Sequence, residues 1–542
     1  MYQFLLVFLL ITQFGFSESL VFVYPKESPP LYKGLENFHM KISTESEMCQ
    51  KYFDQGLLLF YGYNFPESDR SFKEAVKYDP NCAICYLGEA IALGECIDTP
   101  GDHWCVSADE AYQKAKSLIE HASPKERALI ESYAHRLPKE NGVYDVDKDA
   151  YADSLRDVYY QFYGDPDIAT IYGKAHMDSF TMLRFMEGNR PIGLSKQVLD
   201  ALESARKNYP DHPGLNHILI HALEACHLGK LGMEAAKHLD GSVPGSGHLQ
   251  HMPAHIYADN GFYHLATGAN YRGVEADASL FAQGGMKHPE YAGFYLHNHY
   301  YLLKSLAMEG RSQEALKVAR KTIEQLSSGQ LPTNSNLNDV FNSVPFLLEA
   351  RFGLWAEIEK EAAPDKNLPF SVGAYHYARG LMSLHANQVD KAEKELKAMD
   401  DSVKTFQKIK EEKLVFDHRL MDLLDLLKLD LQAELAQKNQ DGEKAVSLLK
   451  EGVKIEEGVY MSMTPWYFSM RDALGSALNE QKRFSEAEAV FRQDLDAQPL
   501  NGWALRGLIN ALQGQGKDSK KEEEQFKEAW KYADFEIIDS RM

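Results

Sequence analysis

Residues 468–499 read FSMRDALGSALNEQKRFSEAEAVFRQDLDAQP. Leu474, Gly475 and Leu478 fall on one face of a first helix, and Ala487 and Phe491 on one face of a second. Residues three and four apart share a helix face, so each group marks the side that must be buried. Gly475 and Ala487, twelve positions apart, are small enough to let the two axes approach, and Phe491 fills the gap beside them. Pro499 stops the second helix, because proline lacks an amide hydrogen and its ring clashes with the preceding turn. The stretch therefore reads as a helix–turn–helix hairpin.

The same pattern recurs. Tyr52, Gly56 and Leu59 precede Ser68, Phe72, Ala75 and Pro80. Gly380 precedes Ala392 and Leu396, and Ala433 precedes Ala445, Leu449 and Gly452. Each first-helix small residue again stands twelve positions before its partner. These segments resemble the tetratricopeptide (TPR) repeat, a 34-residue helix–turn–helix unit. One such hairpin cannot bury its apolar face alone, so units must stack. The expected fold is all-α, a superhelical solenoid of TPR-like helix pairs over most of Cys49–Asp534. From Val106 to Asn208 the repeats are degenerate but helical in period, as in YADSLRDVYYQFYGDPD (151–167). No run of alternating strands is evident. Breaks are expected at GSVPGSG (241–247), at SSGQLPTNSNL (327–337) and near Ala363–Pro369. The expected organisation is a signal peptide (1–17), an N-terminal extension (18–45), a His-rich array (46–326), a bend or linker (327–337) and C-terminal repeats (338–542). The segment KDSKKEEEQFKEAW (517–530) is expected to cap the array.

Composition narrows the function. The chain has 542 residues, a formal net charge of -21 and 44% hydrophobic residues. Phosphate backbones and anionic lipids attract clustered Lys and Arg, so nucleic acid and membrane surfaces are not expected partners. The opening MYQFLLVFLLITQFGFS carries an apolar run, Leu5–Phe14, of signal-peptide length, with Gly15-Phe16-Ser17 as a small-x-small site. The expectation is export to a periplasm or to the outside, with no membrane association beyond this segment. Six cysteines in an exported chain allow disulfides. Cys96 and Cys105, which bracket ECIDTPGDHWC, are the expected pair; Cys82-x-x-Cys85 can instead be read as a redox or zinc motif.

The chemistry lies in histidine. Twelve of the twenty histidines fall between His212 and His299, where an even spread would place about three. Histidine is the commonest metal ligand and titrates near neutral pH. LNHILIHALEA (215–225) puts His217, His221 and Glu224 on one helix face. GHLQHMPAHIY (247–257) has His251 and His255 four apart, with His248 just before and a helix expected from near His251, Pro253 lying in its first turn. YLHNHYY (295–301) sits on a helix expected over Glu290–Met308; His297 and His299 point to different faces, and His297 is preferred. These three helices occupy successive first-helix slots, so they should neighbour one another at roughly 8–10 Å, lining a concave groove. His217, His221, His251 and His255 form the expected metal site, with His248 and His297 as further ligands. The HExxH order of zinc proteases is absent, since Ile218 follows His217.

The region also resembles a group of bacterial, mostly exported TPR proteins that share HxxxHxxE, GHLxHMPxHIY and an HN dipeptide before a helix ending in MEGR. Here these are His217-His221-Glu224, residues 247–257, and His297-Asn298 leading to Ala307–Arg311. CAICYLGEAIALG (82–94) and ERALIESYA (126–134) fit as well. The match covers about Tyr52–Arg311, and beyond Ser335 only generic repeats remain. The resemblance implies a common site in the front half and supplies no reaction. Imidazole-rich sites suit zinc, iron or copper. Glu224, and Asp178 with His176, are the candidate acid/base groups should the ion activate water. Two classes stay open. One is a metal-binding protein or metal-dependent enzyme; the other is a metal-free scaffold for a protein or peptide ligand, served by runs such as VYYQFYG (158–164).

Overall fold

A computed structural model of the protein describes residues 27–541, apart from 96–102, 138, 141–142, 180–185, 188–189, 227, 332–334, 408–413, 416–417 and 458–467. The expected signal peptide lies outside the described residues, as does Cys96 of the expected Cys96–Cys105 pair. The chain divides into two compact units. One comprises the described residues up to Tyr257 with Gly268–Asn298, the other Ala258–Thr267 with His299 onward.

The fold is all-α and TPR-like. In chain order the front helices are α1 (Glu47–Tyr61), α2 (Phe65–Tyr78), α3 (Ala83–Gly94), α4 (His103–Ser117), α5 (Pro124–Ser132), α6 (Lys148–Gln161), α7 (Pro166–Asp178), α8 (Gly193–Asn208), α9 (Pro213–Ala225), α10 (Met233–Leu239), α11 (Gly247–His251) and α12 (Pro253–Asp259). Helix α12, like α13 (Tyr263–Ala282) and α14 (Pro289–Met308), runs across the division between the units. The back helices are α15 (Ser312–Ser327), α16 (Ser335–Arg351), α17 (Trp355–Lys360), α18 (Pro369–His385), α19 (Val389–Gln407), α20 (Leu420–Lys438), α21 (Gly442–Glu457), α22 (Met470–Glu480), α23 (Phe484–Ala497), α24 (Gly502–Gly514) and α25 (Lys520–Ala529). The only strands among the described residues are three two-residue antiparallel pairings, at 139–144, 186–191 and 414–419. Two of them interrupt the stretch of degenerate repeats.

The four sharp repeats share one local geometry. Their helices are joined by three residues, and the middle one is left-handed: Tyr63, Asn387, Gln440 and Lys482, with φ of 57°, 55°, 62° and 59°. That conformation ends the first helix and folds the second back on it. Packing repeats as well. Phe72 of α2 stands between Gly56 of α1 and Gly88 of α3, each sixteen residues away; a Cβ there would lie 2.8 and 2.6 Å from its ring. Phe491 of α23 stands likewise between Gly475 of α22 and Gly507 of α24, also sixteen residues away on either side. The glycines thus let one aromatic ring serve two helix pairs. Ser68, twelve residues after Gly56, donates to its carbonyl at 2.7 Å.

Two consequences are measurable by chemical denaturation. Phe72→Ala should cost about 3–5 kcal/mol, since it empties a fully enclosed site. Lys482→Gly should instead raise stability by about 0.5–1 kcal/mol, because glycine adopts the left-handed turn without the Cβ penalty.

Candidate metal centre

Helix α9 starts on Pro213, whose missing amide hydrogen costs nothing at that position. His212 caps it, its Nδ1 accepting from the Leu215 amide. One face of α9 then carries His217, His221 and Glu224. The second motif is broken into two helices. α11 begins at Gly247, four residues before the expected start, and Pro253 opens α12 after Met252. A proline inside one continuous helix would remove a hydrogen bond and clash with the preceding turn, so the helix restarts there. His251 and His255 stay together across the break. Gly247 and Gly273 explain the close approach of α11 and α13: a Cβ on Gly247 would collide with the Asp277 carboxyl, and one on Gly273 would lie 2.9 Å from the His251 Cβ. α14 supplies His297. His299 falls in the other compact unit.

All six expected histidines converge. Ring centroids are 4.7 Å apart for His217–His221, 4.9 Å for His217–His248, 4.7 Å for His251–His255 and 4.8 Å for His251–His297. His217, His221 and His248 can each place a ring nitrogen within 4.8 Å of the others, and so can His248, His251 and His297. Both trios are close enough to hold an ion.

The hydrogen bonds define the protons. His255 Nδ1 lies 2.9 Å from Glu224 Oε1, and His251 Nδ1 lies 2.6 Å from Asn270 Oδ1. Both acceptors are oxygens, so both Nδ1 atoms carry the hydrogen. The two Nε2 atoms, left with lone pairs, face each other at 2.8 Å. Two lone pairs at that distance repel, and only a proton or a cation between them relieves the contact. Charging His251 to supply that proton is disfavoured. Burial, reinforced by neighbouring imidazoles, holds His217, His248, His251 and His297 well below the ordinary histidine range, and burial pushes His221 down to about 3.

The expected open groove is not what the structure has. His217, His248 and His251 are at most 1% exposed, and only His221, with 14% of its side chain accessible, approaches solvent. The cover comes from α1, which packs against α9 through Gly214, where a Cβ would lie 2.8 Å from the Tyr61 ring. Tyr63, in the left-handed turn after α1, then lays its ring on His217, His221 and His248 at 4.6, 5.6 and 5.1 Å. Nothing in the residues around Tyr63 marks it for this place. Asn270, which orients His251, is equally silent in the sequence. Asp178 and His176 do not form a pair beside the cluster. Asp178 accepts from Lys174 at 2.6 Å, as Glu95 does, while the His176 ring meets Tyr172 edge-on at 4.8 Å. Glu224 is occupied as the acceptor from His255.

No protein-family model matches the chain, and no curated protein matches it. Among solved structures, a human IFIT1 dimer with m7Gppp-AAAA is similar at 11% identity, over 87% of this chain and 95% of that one, with a TM-score of 0.33. Yeast Tom70 is similar at 12% identity, over 86% and 96%, with a TM-score of 0.32. The TPR domain of P58(IPK) follows at 11% identity, over 86% and 98%, with a TM-score of 0.21. The TPR-like fold rests on the repeated turns and glycine–phenylalanine packing of the chain itself.

A second cluster lies at the front. Cys82 caps α3 and is joined to Cys85 by a disulfide, and Cys49 Sγ of α1 stands 3.5 Å from Cys85 Sγ. All three are buried and could hold one ion when reduced.

The buried histidines set a pH dependence. Burial depresses His176 to about 4, whereas an unfolded histidine titrates near 6.5. The unfolded chain therefore binds more protons between these values. The contribution of His176 is complete above about pH 6.5 and is lost as pH drops toward 4, by about 1.4 kcal/mol per pH unit. Buried carboxyls such as Asp277 and Glu89, pushed up to about 7 by burial, act in the opposite direction, so the difference between denaturant titrations of chelator-treated wild-type and His176→Phe protein should show this slope.

Proposed function

We propose that this chain is a metal-binding TPR-type protein that holds a first-row transition-metal ion, of the zinc, iron or copper class, in the buried histidine cluster of its front unit. The observation that carries this reading is the pair of Nε2 lone pairs of His251 and His255 facing each other at 2.8 Å in a buried interior. Metal-bound histidines characteristically donate their other ring hydrogen to a carboxylate or carbonyl, which fixes the tautomer and aims the free nitrogen at the ion. Glu224 and Asn270 do this here. His251 and His255 would bind through Nε2, with His248 and His297 completing the set. Imidazole nitrogens about 2 Å from the ion need little movement from this arrangement. Export through residues 1–17 belongs to the same proposal and rests on the sequence of that segment.

A partner-binding role has separate support in the back unit. A cavity of about 270 Å³ there is lined by Arg351, Trp355, Tyr377, Asp430, Phe468 and Arg541. Aromatic walls with both signs of charge suit an extended peptide, the protein or peptide ligand expected of such an array.

Metal analysis of untagged protein tests the main reading. Wild-type protein should retain or take up at least one ion per chain, and His251→Ala/His255→Ala should lose it with helicity unchanged. Glu224→Gln should weaken affinity about 10–100-fold. Wild-type protein that takes up no zinc, iron or copper would overturn the proposal.

A further inference from the structure

We propose that the cluster is built for two metal ions, with the imidazole ring of His248 as the bridge between them. This rests on the metal-binding reading above. His217, His221 and His248 form one set of converging nitrogens, and His248, His251 and His297 form another. His248 is the one residue common to both. Its ring lies 4.9 and 5.8 Å from those of His217 and His221, and 5.8 and 6.0 Å from those of His251 and His297.

His248 is also built differently from its neighbours. His251 and His255 each spend one ring nitrogen on an outer acceptor, Asn270 or Glu224, which leaves one nitrogen for an ion. That is the pattern of a terminal ligand. Neither nitrogen of His248 has a hydrogen-bond partner among the described residues, although the residue is 1% exposed. Its ring is held by stacking instead. Tyr63 lies on it at 5.1 Å with a 24° tilt, and Phe294 meets it edge-on at 5.2 Å and 67°. Aromatic neighbours fix the plane and leave both nitrogens uncommitted. The two nitrogens of an imidazole diverge, so a ring held in one plane and shared by both sets can serve both.

The charge balance follows. Neutral His248 carries one ring hydrogen. Binding an ion at each nitrogen releases that proton to solvent and leaves an imidazolate, one negative charge between two cations. Glu224, bonded to His255, adds a second negative charge beside the second set. The first ion takes His217, His221 and His248, and the second takes His251 and His255 through Nε2 with His248 and His297 completing its set.

Copper(II) titration of the full chain, stripped by a chelator and followed by electron paramagnetic resonance, tests the bridge. Two copper ions should bind per chain. The resonance should grow over the first equivalent and shrink over the second, because an imidazolate couples the two spins antiferromagnetically. In His248→Ala the resonance should instead grow in proportion to the copper bound. Saturation at one copper per chain would overturn the bridge and leave the single-ion reading standing. Two coppers with additive signals in the wild-type protein would also overturn it. No copper bound, with no zinc or iron taken up either, would overturn both readings. The wild-type titration decides even if the variant does not fold.

Discussion

The front unit is organised around the exclusion of water from a group of imidazoles. A buried polar nitrogen without a partner costs about 1–3 kcal/mol, and protonating it in that interior costs more, which is why the ring pKa values fall. An apolar core of the same volume would avoid the cost. Here the chain instead commits Glu224, Asn270, Tyr63 and Phe294 to holding histidines in place. The facing lone pairs of His251 and His255 express the same constraint most sharply, because each ring is locked in its tautomer by an oxygen on its far side.

The repeat geometry makes this arrangement possible. The left-handed residue in the three-residue turn is a feature of the scaffold, since Asn387, Gln440 and Lys482 adopt it in the other unit. At Tyr63 the same turn is put to a second use. The backbone reversal that begins α2 also swings an aromatic ring over the cluster. Glycine acts in parallel. Gly56, Gly88, Gly475 and Gly507 set the spacing within the array, and Gly214, Gly247 and Gly273 bring α1, α11 and α13 close enough to close the site.

Much of this was legible in the residues. Small–small spacing of twelve positions located the four sharp hairpins, and the boundaries of α14, α18 and α23 follow the apolar period closely. His217, His221, His251, His255, His248 and His297 come together as expected, because four-residue spacing on neighbouring first helices leaves few other ways to arrange them. The break at Met252 was not anticipated in its true position, because Pro253 is compatible with either a helix start or a kink. Asp178, named with His176 as a candidate acid/base group, has its carboxylate engaged by Lys174, one turn earlier, which donates to Glu95 as well.

The amino-acid sequence by itself determined the helix pairs, their turns and the identity of the converging histidines. These depend on local periodicity and on steric rules that act within about twenty residues. Only the tertiary structure decided that the histidines lie in a sealed interior rather than on a groove wall. That outcome depends on α1 returning against α9 from more than 150 residues away in the chain, and on Tyr63 and Asn270 meeting rings to which no local pattern connects them. The tautomers were decided there too. A ring nitrogen keeps or yields its hydrogen according to the oxygen opposite it, and that oxygen is set by packing.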